Sequence, residues 1–349
     1  MWIPVLKATV GLLFLLGGGE VLLRGSAALA ARLGLSPLLI GLTVVAAATS
    51  MPELVVVVTS GMRGVPDLGV GNVIGSNIAN ILLILGVAAV LWPIATRPEH
   101  VLRDGMALLG ATVLFTVFAL TGAVGRIDGT VMLVGLAAYL VFSYFSDRRL
   151  NGARSGERDR NREDLNAAGP DNPPQGEMPR GPRALAGSPA GVGLVTVLAF
   201  IVTGVGALIG GSHLVVDGAV DIAYRLGVSD AVIGLTLVAV GTSLPELATA
   251  IVAGMRRHSE IALGNVLGSN VFNLLMILGL LALIAPFEVA REMMRLDLWM
   301  MVGAVVVLLP VMVTGWRIGR REGAAFLVAY GIYVALKYEP AMAASAHGL

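Results

Sequence analysis

Two short segments of the 349-residue sequence carry residues whose types and spacing suit ion chemistry: Thr49-Ser50-Met51-Pro52-Glu53 and Thr242-Ser243-Leu244-Pro245-Glu246. Each lies in the middle of an apolar stretch, which sets Glu53 and Glu246 at membrane depth. A carboxylate there costs roughly 3 kcal/mol or more, so it normally faces a cavity or a partner. No basic residue occurs inside the neighbouring stretches, and pairing with a buried Arg or Lys is a poor account of either acid. Pro52 and Pro245 each lack a backbone N–H and push aside the carbonyl four residues earlier, at Ala48 and Gly241. Broken helix at this depth is tolerated where it lines a cavity, and a freed carbonyl is a hard oxygen ligand. On helical spacing Ala46, Thr49 and Glu53 share a face, as do Ala239, Thr242 and Glu246. A Thr or Ser beside a Pro kink, taken alone, reads as a hydroxyl bonding back to the backbone. With a Glu in both copies, the ion-site reading is the stronger one.

A second motif follows each segment, Gly-Asn-Val-x-Gly-Ser-Asn at 71–77 and at 264–270. Ser76 and Asn80 are four residues apart, hence on one helix face, and so are Ser269 and Asn273. The glycines read as close-packing positions; the matched amides read as lining the site or bracing the acids. The ligand inventory is oxygen alone. With no Cys anywhere and no His in the paired segments, soft transition metals are disfavoured, whereas Ca2+ takes 6–8 oxygen ligands and Na+ accepts the same carbonyls and hydroxyls. Two carboxylates balance one Ca2+ or two Na+, so the two ions would compete.

The elements that must position these residues are membrane spans. The chain is 56% hydrophobic and 13% charged, with mean hydropathy +0.84, against about 25% charge in a soluble domain. Its net charge of +1 makes no case for nucleic acid. Charged and Pro/Gly punctuation cuts it into ten expected spans, at 3–24, 37–62, 68–93, 104–122, 128–146, 190–215, 230–255, 261–286, 297–315 and 323–337. The first span lacks a convincing cleavage site and has a relative in mid-chain, so it reads as a helix and not a signal peptide. Between the fifth and sixth spans, 147–187 is polar and rich in Arg, Pro and Gly, and is expected to be a disordered cytoplasmic linker. The chain thus divides into 1–146, the linker, and 188–349.

The two outer parts repeat one another. Residues 41–87 and 234–280 align without a gap and are identical at 24 of 47 positions, including Thr, Ser, Pro, Glu, Asn and Gly, which shared lipid-facing composition cannot produce. The repeat extends to Gly17-Gly18 with Gly210-Gly211, and to Gly125–Gly129 with Gly319–Gly323. Five spans per half, an odd number, force the second copy to enter from the opposite side of the bilayer. Outside the linker the Lys/Arg tally is nine against seven; the linker adds eight Arg to the larger side. This predicts a multi-pass protein of the cell (inner) membrane with both termini outside. Glu20 with Arg24, and the matched His213 with Asp217, read as i,i+4 pairs at helix ends, with a gate as the sharper alternative.

The paired segments, 49–53 with 71–80 and 242–246 with 264–273, resemble the calcium/cation antiporter superfamily, in its prokaryotic sodium/calcium exchanger branch. The resemblance covers both halves and all ten expected spans. It implies an all-α fold of ten transmembrane helices in two inverted five-helix repeats, in which Na+ entry drives Ca2+ extrusion. By similarity Glu53 and Glu246 hold Ca2+ with backbone oxygens near Thr49 and Thr242. Na+ takes the same acids with Ala46, Thr49 and Ser76, and symmetrically Ala239, Thr242 and Ser269. Ser50 and Ser243 of the same segments, with Asn80 and Asn273, are counted as further site residues, and the first and sixth helices slide to alternate access. Asn273 departs from relatives that carry Asp there, which argues against K+ cotransport and leaves two acids in the site. The linker is too short for Ca2+-sensing domains.

A Na+/Ca2+ antiporter is therefore the leading expectation. A Ca2+/H+ antiporter using the same acids is its nearest rival, and a passive cation channel stands further off. The spans hold no nucleophile–base pair or metal-hydrolase motif, so an enzyme is not expected, nor are a cofactor or a required protein partner.

Overall fold

The computed structural model describes residues 2–96, 98, 101–167, 193–225 and 239–346. They form twelve helices: α1 (Trp2–Leu33), α2 (Pro37–Thr49), α3 (Met51–Met62), α4 (Pro66–Leu91), α5 (Leu102–Leu120), α6 (Arg126–Ala167), α7 (Leu194–Arg225), α8 (Ala239–Thr242), α9 (Leu244–Met255), α10 (Ser259–Ile284), α11 (Arg291–Trp316) and α12 (Arg320–Ala346). Seven of these are long and apolar enough to cross a membrane, and α2 and α3, bent by 47° at their break, reach that length and apolarity only together. The expected span at 230–255 is described only from 239, and the expected 323–337 lies inside α12.

Local chemistry sets the boundaries. Gly34 ends α1 at φ +65°, a conformation without steric cost only for glycine. Ser36 then caps α2, its hydroxyl accepting from the Leu39 N–H at 3.1 Å, with Pro37 in the first helical position. The repeated 125–129 and 319–323 motifs are explained by capping: Asp128 accepts from the Gly125 N–H at 2.8 Å, and Glu322 from the Gly319 N–H at 3.1 Å. An acid reaching back three residues satisfies a donor the helix cannot.

The expected linker differs in its first part, because α6 continues through 147–167. Propagating a helix adds one hydrogen bond per residue once a nucleus exists, and the apolar span supplies that nucleus. At 42 residues α6 is roughly 60 Å long at 1.5 Å per residue, about twice the hydrocarbon thickness of a bilayer. The remainder of the linker, 168–187, lies outside the described residues.

The halves interlock by exchanging equivalent contacts. In register with the repeat, β1 (Ile94–Ala95) pairs antiparallel with β4 (Arg317–Ile318), and β2 (Ala123–Val124) with β3 (Phe287–Glu288). Likewise Gly86 of α4 abuts Gly323 of α12, while its counterpart Gly279 of α10 abuts Gly129 of α6. In the centre, 78% of the apolar stretch of α4 and of α10 is buried, against 28% for α1 and 22% for α7.

The outer pair, α1 and α7, makes the most extensive contact between two helices among the described residues. Glycines seven residues apart line its seam: Gly11, Gly18 and Gly25 on α1, Gly204, Gly211 and Gly218 on α7. Lipid offers apolar helices no hydrophobic drive to associate, so backbone proximity has to supply the contact. A Cβ at Gly211 would stand 2.8 Å from the Gly11 carbonyl oxygen, whereas one at Gly210 would meet nothing within 4 Å. Gly211→Ala is therefore expected to destabilise the protein by about 1–3 kcal/mol and Gly210→Ala to leave it unchanged or firmer, read as thermal unfolding in detergent.

Candidate functional site

The spans that carry the acids break in the same way. Ser50 sits between α2 and α3 with ψ 7°, and Ser243 between α8 and α9 with ψ 6°. The break thus falls at the serine, two residues before the expected proline. Pro52 and Pro245 occupy the first turn of the new helix, where a missing N–H leaves nothing unpaired. The acids follow at once: Glu53 and Glu246 lie in the first turns of α3 and α9, where the helix dipole favours negative charge. Of the two carbonyls expected to be displaced, that of Gly241 accepts the Ser212 hydroxyl at 2.6 Å.

The geometry crosses between halves. Ser50 donates to Glu246 Oε1 at 3.3 Å, and Ser243 donates to Glu53 Oε1 at 3.4 Å. Each acid is therefore met by the serine of the opposite repeat, which brings two carboxylates into one buried locus. Both are 1% exposed, and the second oxygen of each, Oε2, has no hydrogen-bond partner among the described residues. A buried carboxylate oxygen left bare is costly unless a cation or donor meets it.

The remaining expected residues gather around this locus to different degrees. Ser76 lies 3.4 Å from the Ser243 hydroxyl; the matched Ser269 is fully buried and its Oγ has no partner among the described residues. Thr49 Oγ1 lies 3.4 Å from the Ala46 carbonyl, and Ala239 and Thr242 bound the short helix α8. Asn80 and Asn273 are each 1% exposed, and Asn80 Oδ1 and both amide atoms of Asn273 have no partner among the described residues. At these two asparagines the helix widens. The Leu85 N–H bonds to the Asn80 carbonyl and the Leu278 N–H to that of Asn273, five residues back. Such π-turns often mark functional sites.

Asn72 and Asn265 are functional candidates that sequence spacing did not single out. Thr49 donates to Asn265 Oδ1 at 3.1 Å and Thr242 to Asn72 Oδ1 at 3.5 Å, again across the halves. The signal was present, since both stand in the repeated Gly-Asn-Val-x-Gly-Ser-Asn motif. The two pairs expected at helix ends instead lie inside α1 and α7, because both helices run on past the apolar stretch to Leu33 and Arg225, and the pairs divide. Arg24 donates to Glu20 at 2.7 Å, but no ion pair joins His213 to Asp217 among the described residues.

A chain of membrane-length helices around a buried, oxygen-lined, doubly acidic locus belongs to the class of multi-pass cation-handling membrane proteins. The model of the sodium/calcium exchanger protein family matches residues 4–145 and 196–339, and this chain belongs to that family, in the prokaryotic branch of the calcium/cation antiporter superfamily. It is 33% identical over 355 residues to the sodium/calcium exchanger MaX1 of Methanosarcina acetivorans, covering 94% of this chain and 97% of that one. It is 35% identical over 282 residues to the inner membrane protein YrbG of Escherichia coli, covering 80% and 79% respectively. Among solved structures, the sodium-calcium exchanger NCX_Mj in zero Na+ and Ca2+ superposes with a TM-score of 0.77 at 28% identity, covering 95% of this chain and 98% of that one.

If Asn72 and Asn265 orient the threonines, Asn265→Ala or Asn72→Ala should each weaken divalent-cation binding about fivefold, the worth of one hydrogen bond of about 1 kcal/mol. Titration calorimetry on the purified protein reads the change.

Proposed function

We propose that this chain is a Na+/Ca2+ antiporter working by alternating access, with Glu53 and Glu246 as the two anionic ligands of one shared site. The observation that carries the reading is the reciprocal crossing of Ser50 to Glu246 and Ser243 to Glu53. Two acids on separate halves, each leaving one oxygen bare, suit a cation that both halves grip and that either half can release. The charge count fits exchange: one Ca2+ or two Na+ neutralise two carboxylates, and both ions are hard cations served by carboxylate, carbonyl, hydroxyl and amide oxygens. Thr49, Thr242, Ser76, Ser269, Asn80, Asn273 and the backbone at Ala46 and Ala239 complete the ligand set. Asn273 keeps the set at two charges. The name of MaX1 and that of NCX_Mj support sodium as the coupling ion.

The reading includes ten spans in two inverted repeats. Its support is the pairwise exchange of equivalent contacts between the halves, which a pseudo-two-fold axis in the membrane plane would generate. With the Arg-rich 147–187 stretch on the cytoplasmic side, Arg256 faces the cytoplasm and Arg63 the outside.

The test is Ca2+ uptake into proteoliposomes against imposed gradients. An outward Na+ gradient is expected to drive uptake in the parent, and Glu53→Gln or Glu246→Gln to reduce it at least a hundredfold. Uptake driven by a pH gradient and indifferent to Na+ would replace the reading with Ca2+/H+ exchange. Downhill flux that needs no counter-ion and survives Glu53→Gln would replace it with a channel.

A further inference from the structure

The two halves are not in the same state, and the difference is visible at equivalent positions. Helix α1 lies over α9: a Cβ at Gly19 would stand 3.3 Å from Val252 Cγ2 and 3.5 Å from the Ala248 carbonyl oxygen. Ala248 and Val252 are each 5% exposed, whereas Val55, the counterpart of Ala248 on α3, is 63% exposed. Under alternating access by inverted repeats, the opposite state exchanges these roles, with α7 covering α3 and α9 uncovered.

Where α1 crosses the end of α9, one carboxylate clamps them. Arg256 donates to both oxygens of Glu20, Nε to Oε2 at 2.8 Å and Nη2 to Oε1 at 2.7 Å. Arg24, one turn along α1, donates to Oε1 at 2.7 Å. A bidentate Arg–carboxylate pair fixes geometry as well as charge. The repeat has no counterpart to it. The positions equivalent to Glu20 and Arg256 are His213 and Arg63, which are not a carboxylate and a cation. The nearest acid on α7 is Asp217, four residues on, and bringing it opposite Arg63 would need a further slide of about 6 Å at 1.5 Å per residue.

We infer that Glu20, gripped by Arg256 and braced by Arg24, is a one-sided latch that holds α1 on α9 and biases the transporter toward the state with the Arg63 end of α3 uncovered. The latch does not touch the ion. It sets the population of the two states, and ion binding must shift the population against it or with it. Exposed ion pairs are individually weak, and Arg24 and Arg256 are both more than half exposed, so the expected bias is about fivefold. The inference rests on the alternating-access reading but not on which ion is carried.

The sequence contains no Cys, so single-cysteine reporters in the purified full chain are unambiguous. Val252→Cys lies beneath α1, and its rate of maleimide labelling in detergent reads how often α1 leaves α9. Glu20→Gln and Arg256→Gln are each expected to raise that rate about fivefold. The reversed pair, Glu20→Arg with Arg256→Glu, should return it to the parental rate. His213→Glu, which builds the missing counterpart opposite Arg63, should slow labelling of Val55→Cys. A control at Ala282→Cys, fully buried in the central core away from α1, should stay slow throughout. Unchanged labelling of Val252→Cys in Glu20→Gln, failure of the reversed pair to restore it, or parallel labelling at Ala282→Cys would overturn the latch. If labelling follows expectation while flux ignores Na+, the latch stands and the choice of coupling ion falls.

Discussion

Two carboxylates held out of water, within reach of each other's opposing serines and with no buried cation of the protein's own among the described residues around them, set the terms for the rest of this molecule. Such a pair repels itself in a low dielectric and persists only if the surrounding backbone is oriented to support negative charge. The helix breaks at Ser50 and Ser243 do this. They start new helices whose first turns carry Glu53 and Glu246, so the positive ends of two helix dipoles and the crossed hydroxyls face the acids. The proline one position before each acid costs nothing there and prevents the helix from running straight through.

This arrangement requires the halves to be interwoven. A site built from one repeat alone would have one acid and one serine pointing at nothing. The close glycine contacts of α4 with α12 and of α10 with α6, and the tiny strand pairings that tie each half to the other, hold the central helices at fixed spacing. The α1–α7 pair is different. It is joined internally by backbone-to-backbone glycine contacts but is mostly exposed to its surroundings, which suits a rigid unit that moves against a rigid core.

Much of this was legible in the sequence. The gapless repeat, the membrane-length apolar helices and the paired acids follow from residue type and spacing, and the Gly125 and Gly319 motifs were visible before their capping role was. The rest depends on contacts between residues 170 to 216 positions apart. Thr49 with Asn265 and Thr242 with Asn72 belong to helices whose crossing no local pattern encodes. The π-turns at Asn80 and Asn273 leave the apolar pattern of α4 and α10 unchanged, so spacing arguments based on 3.6 residues per turn pass over them. Glu20 paired with Arg24 by local spacing alone; its stronger grip on Arg256 appears only once α1 is seen to cross α9. The break at serine rather than proline reflects a choice the sequence leaves open, since Pro is as compatible with the first turn of a helix as with a kink.

The central claim is that Glu53 and Glu246 make one site and not two. Calcium-binding stoichiometry on the purified protein tests it most directly, comparing the parent with Glu53→Gln, Glu246→Gln and the double variant. One ion per chain in the parent, with either single change abolishing binding as fully as both together, is the result expected of a shared site. Two ions per chain in the parent, with each single variant retaining one, would contradict it.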